Sequence, residues 1–131
     1  MITGGRIDEV EGKKIGETNT ITNLNIDIAL NEVKINGVSV EIGYTYTALY
    51  GKDKNSTHLI IKGSITAEED KKLVKEIEDE WKKAKKLPEA YAEIVINAIN
   101  YTGIANGTLL ARLLNVAPPL IPPRIQLKQT K

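Results

Sequence analysis

The residues from Val38 to Tyr50 alternate between two kinds of side chain. One set is apolar or aromatic and comprises Val38, Val40, Ile42, Tyr44, Tyr46, Ala48 and Tyr50. The intervening set is small or polar and comprises Ser39, Glu41, Gly43, Thr45 and Thr47. A period of two over this length is typical of a strand that buries one face. The fold of this chain therefore has to include a sheet with one covered face.

A hairpin turn is predicted immediately before this strand. The pair Asn36-Gly37 is the one preferred in type I′ turns of two residues. Such a loop would put Ile35 opposite Val38 and Val33 opposite Val40, with both pairs on the apolar face.

The phase of the apolar residues changes within the preceding strand. Leu24, Ile26, Ile28 and Leu30 occupy even positions, whereas Val33 and Ile35 occupy odd ones. One interpretation is a β-bulge between Leu30 and Glu32 that resets the phase. The other is a sheet covered on both faces, which would require a partner chain. We favour the bulge.

Two further strands complete the predicted antiparallel sheet over about residues 2–66. One runs from about Thr57 to Thr66 with Leu59, Ile61 and Ile65 on its inner face. The other, which has a poor pattern, lies between Ile2 and Ile15.

Helical patterns follow over about residues 67–115. Thr66 and Glu69 have the spacing of a capping box, and apolar residues then recur at helical spacing from Leu73 to Ala84. Leu87-Pro88 interrupts this helix, and Pro88 suits the first turn of the next. The class is therefore α+β, an antiparallel β-meander followed by C-terminal helices packed on the sheet, in one domain of 131 residues.

The second helix, predicted from Pro88 to about Asn115, carries almost no charge. Only three of the 38 residues from 90 to 127 are charged. Apolar side chains cover nearly its whole circumference, which indicates a helix hidden from water. Small residues at Gly103, Gly107 and Ala111 would allow close backbone approach. We expect one continuous helix, and the alternative is a break at Thr102-Gly103.

The C-terminal residues 117–131 begin with Ala117-Pro-Pro-Leu-Ile-Pro-Pro-Arg124. Closely spaced prolines predict an extended tail. The segment also satisfies PxxPxR, a pattern that polyproline-binding domains recognise. We favour a tail that packs on its own domain or on a neighbouring subunit.

Composition excludes several classes of site. The chain has no cysteine and a single histidine, His58, so neither a Cys-ligated metal nor a catalytic triad is predicted. We expect no catalytic residue, no cofactor and no metal. A net charge of +1 argues against nucleic acid as a partner. Without a secretory leader or a membrane-spanning apolar run, the expected location is the cytoplasm.

The apolar residues exceed what one small domain needs. Soluble monomers rarely expose large apolar patches, so the surplus is expected to meet another copy or another polypeptide. The candidate surface comprises Tyr44, Tyr46, Tyr50, Ile96, Ile99, Gly103, Gly107, Leu110 and Leu114.

Element order and a C-terminal signature resemble those of the SecB-like fold family. The signature consists of Glu80-Trp-Lys-Lys-Ala-Lys-Lys-Leu-Pro88, Leu109-Leu-Ala-Arg-Leu-Leu114 and Ala117-Pro-Pro-Leu-Ile-Pro-Pro123. The resemblance covers roughly residues 23–124. It implies an oligomeric chaperone that holds unfolded polypeptides in apolar grooves, although SecB itself is acidic and this chain is not.

Three functions remain open from the sequence. The first is a homodimeric or homotetrameric polypeptide-binding protein of the SecB-like type, without enzymatic activity. The second is an adaptor that docks its apolar helix on one fixed protein partner. The third is a small-ligand protein or enzyme with a pocket between sheet and helix, for which Tyr44, Tyr46, Asn97 and Asn100 are the polar candidates.

Overall fold

The computed structural model describes residues 1–15, 24–50, 57–114 and 119. Four strands precede two helices along the chain, as the sequence predicts. The elements are β1 (Ile2–Lys13), β2 (Leu24–Asn36), β3 (Ser39–Tyr50), β4 (Thr57–Glu68), α1 (Lys71–Ala84) and α2 (Glu89–Leu114).

The strands form one antiparallel sheet in the order β1-β4-β3-β2. Strands β2, β3 and β4 form a meander of sequential neighbours. Strand β1 pairs with β4 rather than with β2, so that β1 and β2 are the two edges of the described sheet. The α+β class with helices after an antiparallel sheet is thereby confirmed.

The predicted bulge in β2 is confirmed. Leu30 lies opposite Tyr44 and Glu32 lies opposite Gly43, so Asn31 is the extra residue. Its side-chain Nδ2 donates a hydrogen bond of 2.9 Å to Oγ1 of Thr45. Because of this one insertion, the even-numbered apolar residues before it and the odd-numbered ones after it share the face that packs under the helices.

The predicted register of the β2–β3 hairpin was wrong by two residues. Ile35 lies opposite Val40, and Asn36 pairs with Ser39, so the loop residues are Gly37 and Val38. Gly37 has φ +66°, and no positive φ occurs at Val38. A positive φ at the first loop position alone is the pattern of a type II′ turn, which places glycine there. The shift is even, so every side chain keeps its predicted face.

The poor pattern of β1 has a structural cause. Its register against β4 shifts twice, between Ile2 and Gly4 and again between Ile7 and Glu9. Each shift moves the inward-facing positions from even to odd numbers or back, and therefore no single alternating pattern extends along the whole strand.

The predicted capping box at Thr66 and Glu69 was wrong. Strand β4 continues to Glu68, and the backbone N–H of Glu69 donates to the carbonyl of Val38 at 3.0 Å. That N–H is therefore unavailable to the Thr66 hydroxyl. Helix α1 begins after Asp70, whose Oδ1 accepts from the N–H of Leu73 at 2.8 Å.

The core lies between the sheet and both helices. Its strand residues are mainly the even-numbered ones of β3 and the odd-numbered ones of β4, all of which are buried. Helix α1 contributes Val74 and Ile77, and α2 contributes Tyr91, Val95 and Ile99. The opposite face of the sheet carries polar side chains such as Thr45, Thr47 and Lys62.

Helix α2 is continuous through Gly103 and Gly107, as predicted. Gly103, Gly107 and Ala111 are buried on the face that packs on the sheet. A Cβ at Gly103 would overlap the ring of Tyr46, so the closeness of this packing depends on glycine.

Candidate functional site

The structure buries six of the nine residues in the predicted candidate surface. Those six pack within the single chain and are Tyr44, Tyr46, Tyr50, Ile99, Gly103 and Gly107. The other three are half-buried at the margin of α2 and are Ile96, Leu110 and Leu114. The six buried residues therefore lie between the sheet and α2 of one copy and are not open to a partner.

The tyrosines of β3 are buried between the sheet and α2. Burial raises the pKa of Tyr46 to about 12, with a smaller contribution from the neighbouring Tyr50. Burial likewise raises the pKa of Tyr50 to about 12. The hydroxyl of Tyr46 has no hydrogen-bond partner among the described residues. The tyrosines therefore act as core residues rather than as an accessible binding surface.

An apolar groove lies between β1 and α2. Its cavity volume is about 460 Å³. The sheet side of this edge groove is formed mainly by Ile2, Gly5, Ile7 and Ile65, with Tyr44 beneath them. The helix side is formed by Ala98, Tyr101 and Thr102.

The groove opens beside a strand edge. In the described part of the sheet no strand pairs with the outer edge of β1. Ile7 and Val10 lie on the helix-facing side of β1, yet they are 39 % and 51 % exposed, because α2 does not cover this strand completely. An unpaired strand edge offers backbone N–H and C=O groups to an extended peptide.

Charged residues flank the groove on the other face of β1. Nε of Arg6 lies 2.8 Å from Asp8, and Nη2 of Arg6 lies 3.0 Å from Glu41. Both carboxylates raise the pKa of Arg6, Asp8 more than Glu41. Arg6 and Ser64 also line the groove, but the guanidinium is paired within its own sheet, and the rest of the described lining is mainly apolar.

A second apolar surface runs along the solvent side of α2. We call it the outer stripe, and it consists of Ala90, Ile94, Tyr101, Ala105, Leu109 and Leu113. Its large side chains are 56 % exposed at Ile94, 70 % at Tyr101, 60 % at Leu109 and 82 % at Leu113. The prediction that α2 is hidden all round therefore fails within one copy, since only the sheet-facing half is covered.

The C-terminal tail is described at one residue only. Pro119 is buried, and a Cβ at Gly107 would approach its Cγ to 2.8 Å. This contact agrees with the prediction of a tail that packs on its own domain. The rest of the predicted tail, and the PxxPxR pattern with it, lies outside the described residues.

Among the described residues, no group of three or more His, Asp or Glu side chains could hold a metal ion. His58 pairs through Nε2 with Glu11 at 3.5 Å on the polar face of the sheet.

In the same described ranges, no helix has both the length and the hydropathy needed to span a bilayer.

Sequence reasoning missed Ile2, Ile7 and Val10 as surface residues because the two register shifts hide their common face. It also missed the outer stripe, although a signal for it existed. Once Gly103 and Gly107 are assigned to the sheet, the helical period places Tyr101, Ala105 and Leu109 on the opposite side.

No protein-family model matches the sequence. No curated protein is significantly similar to it either.

Structure comparison gives a clear similarity. The chain superimposes on the SecB-like chaperone Rv1957 of Mycobacterium tuberculosis, solved in complex with a ChAD peptide from the Rv1956 HigA1 antitoxin, with a TM-score of 0.55. The alignment covers 100 % of this chain and 89 % of that chain, at 10 % sequence identity. At this identity the similarity establishes the fold, which is SecB-like.

Proposed function

We propose that this protein is a polypeptide-binding, chaperone-like oligomer without enzymatic activity, which holds extended apolar segments in the edge groove. The observation that carries the proposal is the apolar groove beside the outer edge of β1, with which no described strand pairs. An extended segment could hydrogen-bond to β1 while alternate side chains enter the groove between Ile7 and Ala98.

Two further features support this proposal. The similar SecB-like chaperone was solved with a peptide from another protein, so the fold is able to carry a bound polypeptide segment. Among the described residues that line the groove only Arg6 is charged, and it is already paired with Asp8 and Glu41, so it would not select one charged ligand. An apolar lining with backbone hydrogen bonding suits many unfolded sequences.

The expected location of the protein is the cytoplasm, where unfolded chains arise during synthesis.

The adaptor and small-ligand functions remain alternatives. One stoichiometric partner in a pull-down would favour the adaptor, and a thermal shift with a metabolite would favour the ligand site.

The test is suppression of client aggregation, followed by light scattering, together with binding of an unfolded apolar peptide. The informative variant is Ile7→Glu, which places a charge in the groove on a side chain that is already 39 % exposed. We expect it to weaken peptide binding at least tenfold, because binding would then require burial of an unpaired carboxylate.

The matched control is Val38→Glu. Val38 is 40 % exposed, lies in the β2–β3 turn and is not among the described residues that line the groove. This control should bind and suppress aggregation like the parent chain. Equal activity of both variants, or no suppression by the parent chain, would refute the proposed function.

A further inference from the structure

The dipeptide Asn-Gly occurs twice in this chain, at Asn36-Gly37 and at Asn106-Gly107. In such a pair the backbone nitrogen of the glycine can attack the side-chain amide carbon of the asparagine, because glycine has no side chain to hinder the five-membered ring that forms. The fold places one pair at a hairpin turn and the other inside α2. The same chemical group therefore meets two different surroundings in one chain.

The surroundings of Asn36 leave its side chain open to reaction. Asn36 is exposed at the end of β2, and Gly37 is the first loop residue of the hairpin. Within the described part of the chain, the Asn36 side chain forms no hydrogen bond. No atom lies within 4 Å of the place that a Cβ at Gly37 would occupy. The turn is thus free of groups that would hold the side-chain amide away from the Gly37 nitrogen.

The surroundings of Asn106 prevent the same reaction. Its Nδ2 donates a hydrogen bond of 2.9 Å to the carbonyl of Thr102. Gly107 is buried, and a Cβ there would approach Cγ of Pro119 to 2.8 Å. Inside an α-helix the glycine N–H donates to the carbonyl four residues earlier, so its nitrogen is not available to attack. Reaction at Asn106 first requires local opening of α2.

We propose that Asn36 is a site of spontaneous covalent modification, at which it cyclises onto Gly37 and becomes isoaspartate or aspartate, whereas Asn106 is protected. In the first step the Gly37 nitrogen forms a bond to Cγ of Asn36 and loses its proton, and the side-chain nitrogen leaves as ammonia with that proton. In the second step one water opens the ring. Attack at the main-chain carbonyl of residue 36 gives isoaspartate, and attack at Cγ gives aspartate. Water is the only co-reactant.

The modification changes the connection between the hairpin and α1. In isoaspartate the main chain passes through the former side-chain carbon, and the turn gains one methylene group. Asn36 pairs with Ser39 at the closed end of the hairpin, and the carbonyl of Val38 accepts from the N–H of Glu69 at 3.0 Å. Glu69 directly precedes Asp70, the N-cap of α1. A lengthened turn displaces Val38, so the modification weakens the bond that holds the start of α1 to the sheet.

The test is storage of the folded full chain in mildly alkaline buffer, followed by peptide mapping with mass spectrometry. Conversion is read as the mass difference between amide and acid, and isoaspartate is identified by enzymatic methylation of its carboxylate. We expect the peptide with residue 36 to convert at least about tenfold faster than the peptide with residue 106, because only the second reaction has to await opening of the helix.

The control is the same chain unfolded in urea. Both Asn-Gly pairs then lose their different surroundings, and they should convert at similar rates. Equal conversion of the two sites in the folded chain would overturn the inference. An Asn36 that stays intact throughout storage of the folded chain would overturn it as well.

The effect on the start of α1 is measured by thermal unfolding. Stored parent chain should unfold about 3 °C or more below fresh chain, through loss of the bond between Glu69 and Val38. Asn36→Gln should keep its melting temperature, because glutamine would have to form a less favourable six-membered ring. The matched control Asn106→Gln should lose stability on storage like the parent chain. An unchanged melting temperature after conversion of residue 36 would overturn this consequence.

The inference does not depend on the proposed function. Neither Asn36 nor Gly37 is among the described residues that line the edge groove. Failure of peptide binding therefore leaves the modification site standing, and absence of modification leaves the groove standing.

Discussion

The ring of Tyr46 occupies the space that a side chain at Gly103 would need. Tyr46 is fully buried on β3, and Gly103 is buried in the middle of α2. The contact brings the helix backbone close to the sheet, and it explains why a glycine fits at this position inside a helix of 26 residues. The position of α2, and with it the groove and the outer stripe, depends on this contact.

Gly103→Ala should destabilise the chain by about 1–3 kcal/mol, because Tyr46 or the helix has to move. Helix propensity alone acts in the opposite direction, by roughly 1 kcal/mol. The control is Ala105→Gly on the exposed side of α2, which should cost about 1 kcal/mol through propensity only. Both are measured by urea unfolding. A stabilising Gly103→Ala would contradict the close contact.

Replacing Tyr46 by phenylalanine should leave the stability at neutral pH unchanged or raise it by up to about 1 kcal/mol. The hydroxyl that is removed is buried and has no partner among the described residues, so its loss removes a desolvation cost. Thermal unfolding of Tyr46→Phe measures the change. A loss of several kcal/mol would mean that the hydroxyl has an important partner.

The same buried phenol should make the parent chain sensitive to alkali. Burial raises the pKa of Tyr46 from 10.0 to about 12, so the folded state favours the neutral form. That contribution is complete below pH 10 and is lost as the pH rises through about 12. Unfolding free energy measured over this window should fall less steeply in Tyr46→Phe, and an identical slope would contradict the assignment.

Lys85→Gly should stabilise the chain by about 1 kcal/mol. Lys85 ends α1 in the left-handed region, with φ 55° and ψ 39°, and its N–H donates to the carbonyl of Trp81 at 2.9 Å. Glycine adopts this conformation without the steric cost that lysine bears. The ammonium of Lys85 lies 5.9 Å from the Trp81 ring centre, and losing that contact offsets part of the gain. Lys86→Gly, one residue outside the cap, is the control in thermal unfolding and should not stabilise.

Deleting Asn31 should destabilise the fold far more than substituting it. Without the extra residue, the apolar residues on one side of position 31 must turn to the polar face of the sheet. Exposing several half-buried aliphatic side chains in this way costs about 4 kcal/mol or more. Asn31→Ala keeps the register and loses only the hydrogen bond to Thr45, at about 1 kcal/mol. Circular dichroism during urea unfolding compares the two, and equal effects would contradict the phase-resetting role of the bulge.

The sheet could be predicted from the sequence because its central strands follow simple patterns. The alternation of β3 and the change of phase in β2 together located the bulge to within a residue of Asn31. The start of α1 could not be predicted correctly, because the local signal at Thr66 competes with sheet pairing that extends to Glu68. Hydrogen bonds between β3 and β4 set the end of β4 and hence the start of α1, and these long-range bonds are known only once the fold is known.

The candidate surface was predicted less well for a related reason. Apolar content indicated that a surface exists, but it could not say which half of α2 faces the sheet. The tyrosines of β3 lie in the core, whereas Ile94, Tyr101 and Leu109 are exposed on the opposite side of α2. The edge groove was hidden further by the irregular register of β1, in which no single period marks the inner face.

Hydrogen exchange of the full chain, with and without an unfolded apolar peptide, tests most directly whether the outer edge of β1, unpaired in the described part of the sheet, receives a polypeptide. We expect the peptide to slow exchange of the amides from Ile2 to Lys13, because the unpaired ones become hydrogen-bonded to it, while β3 remains unchanged at the centre of the sheet. Binding of the peptide without any added protection in β1 would contradict the account.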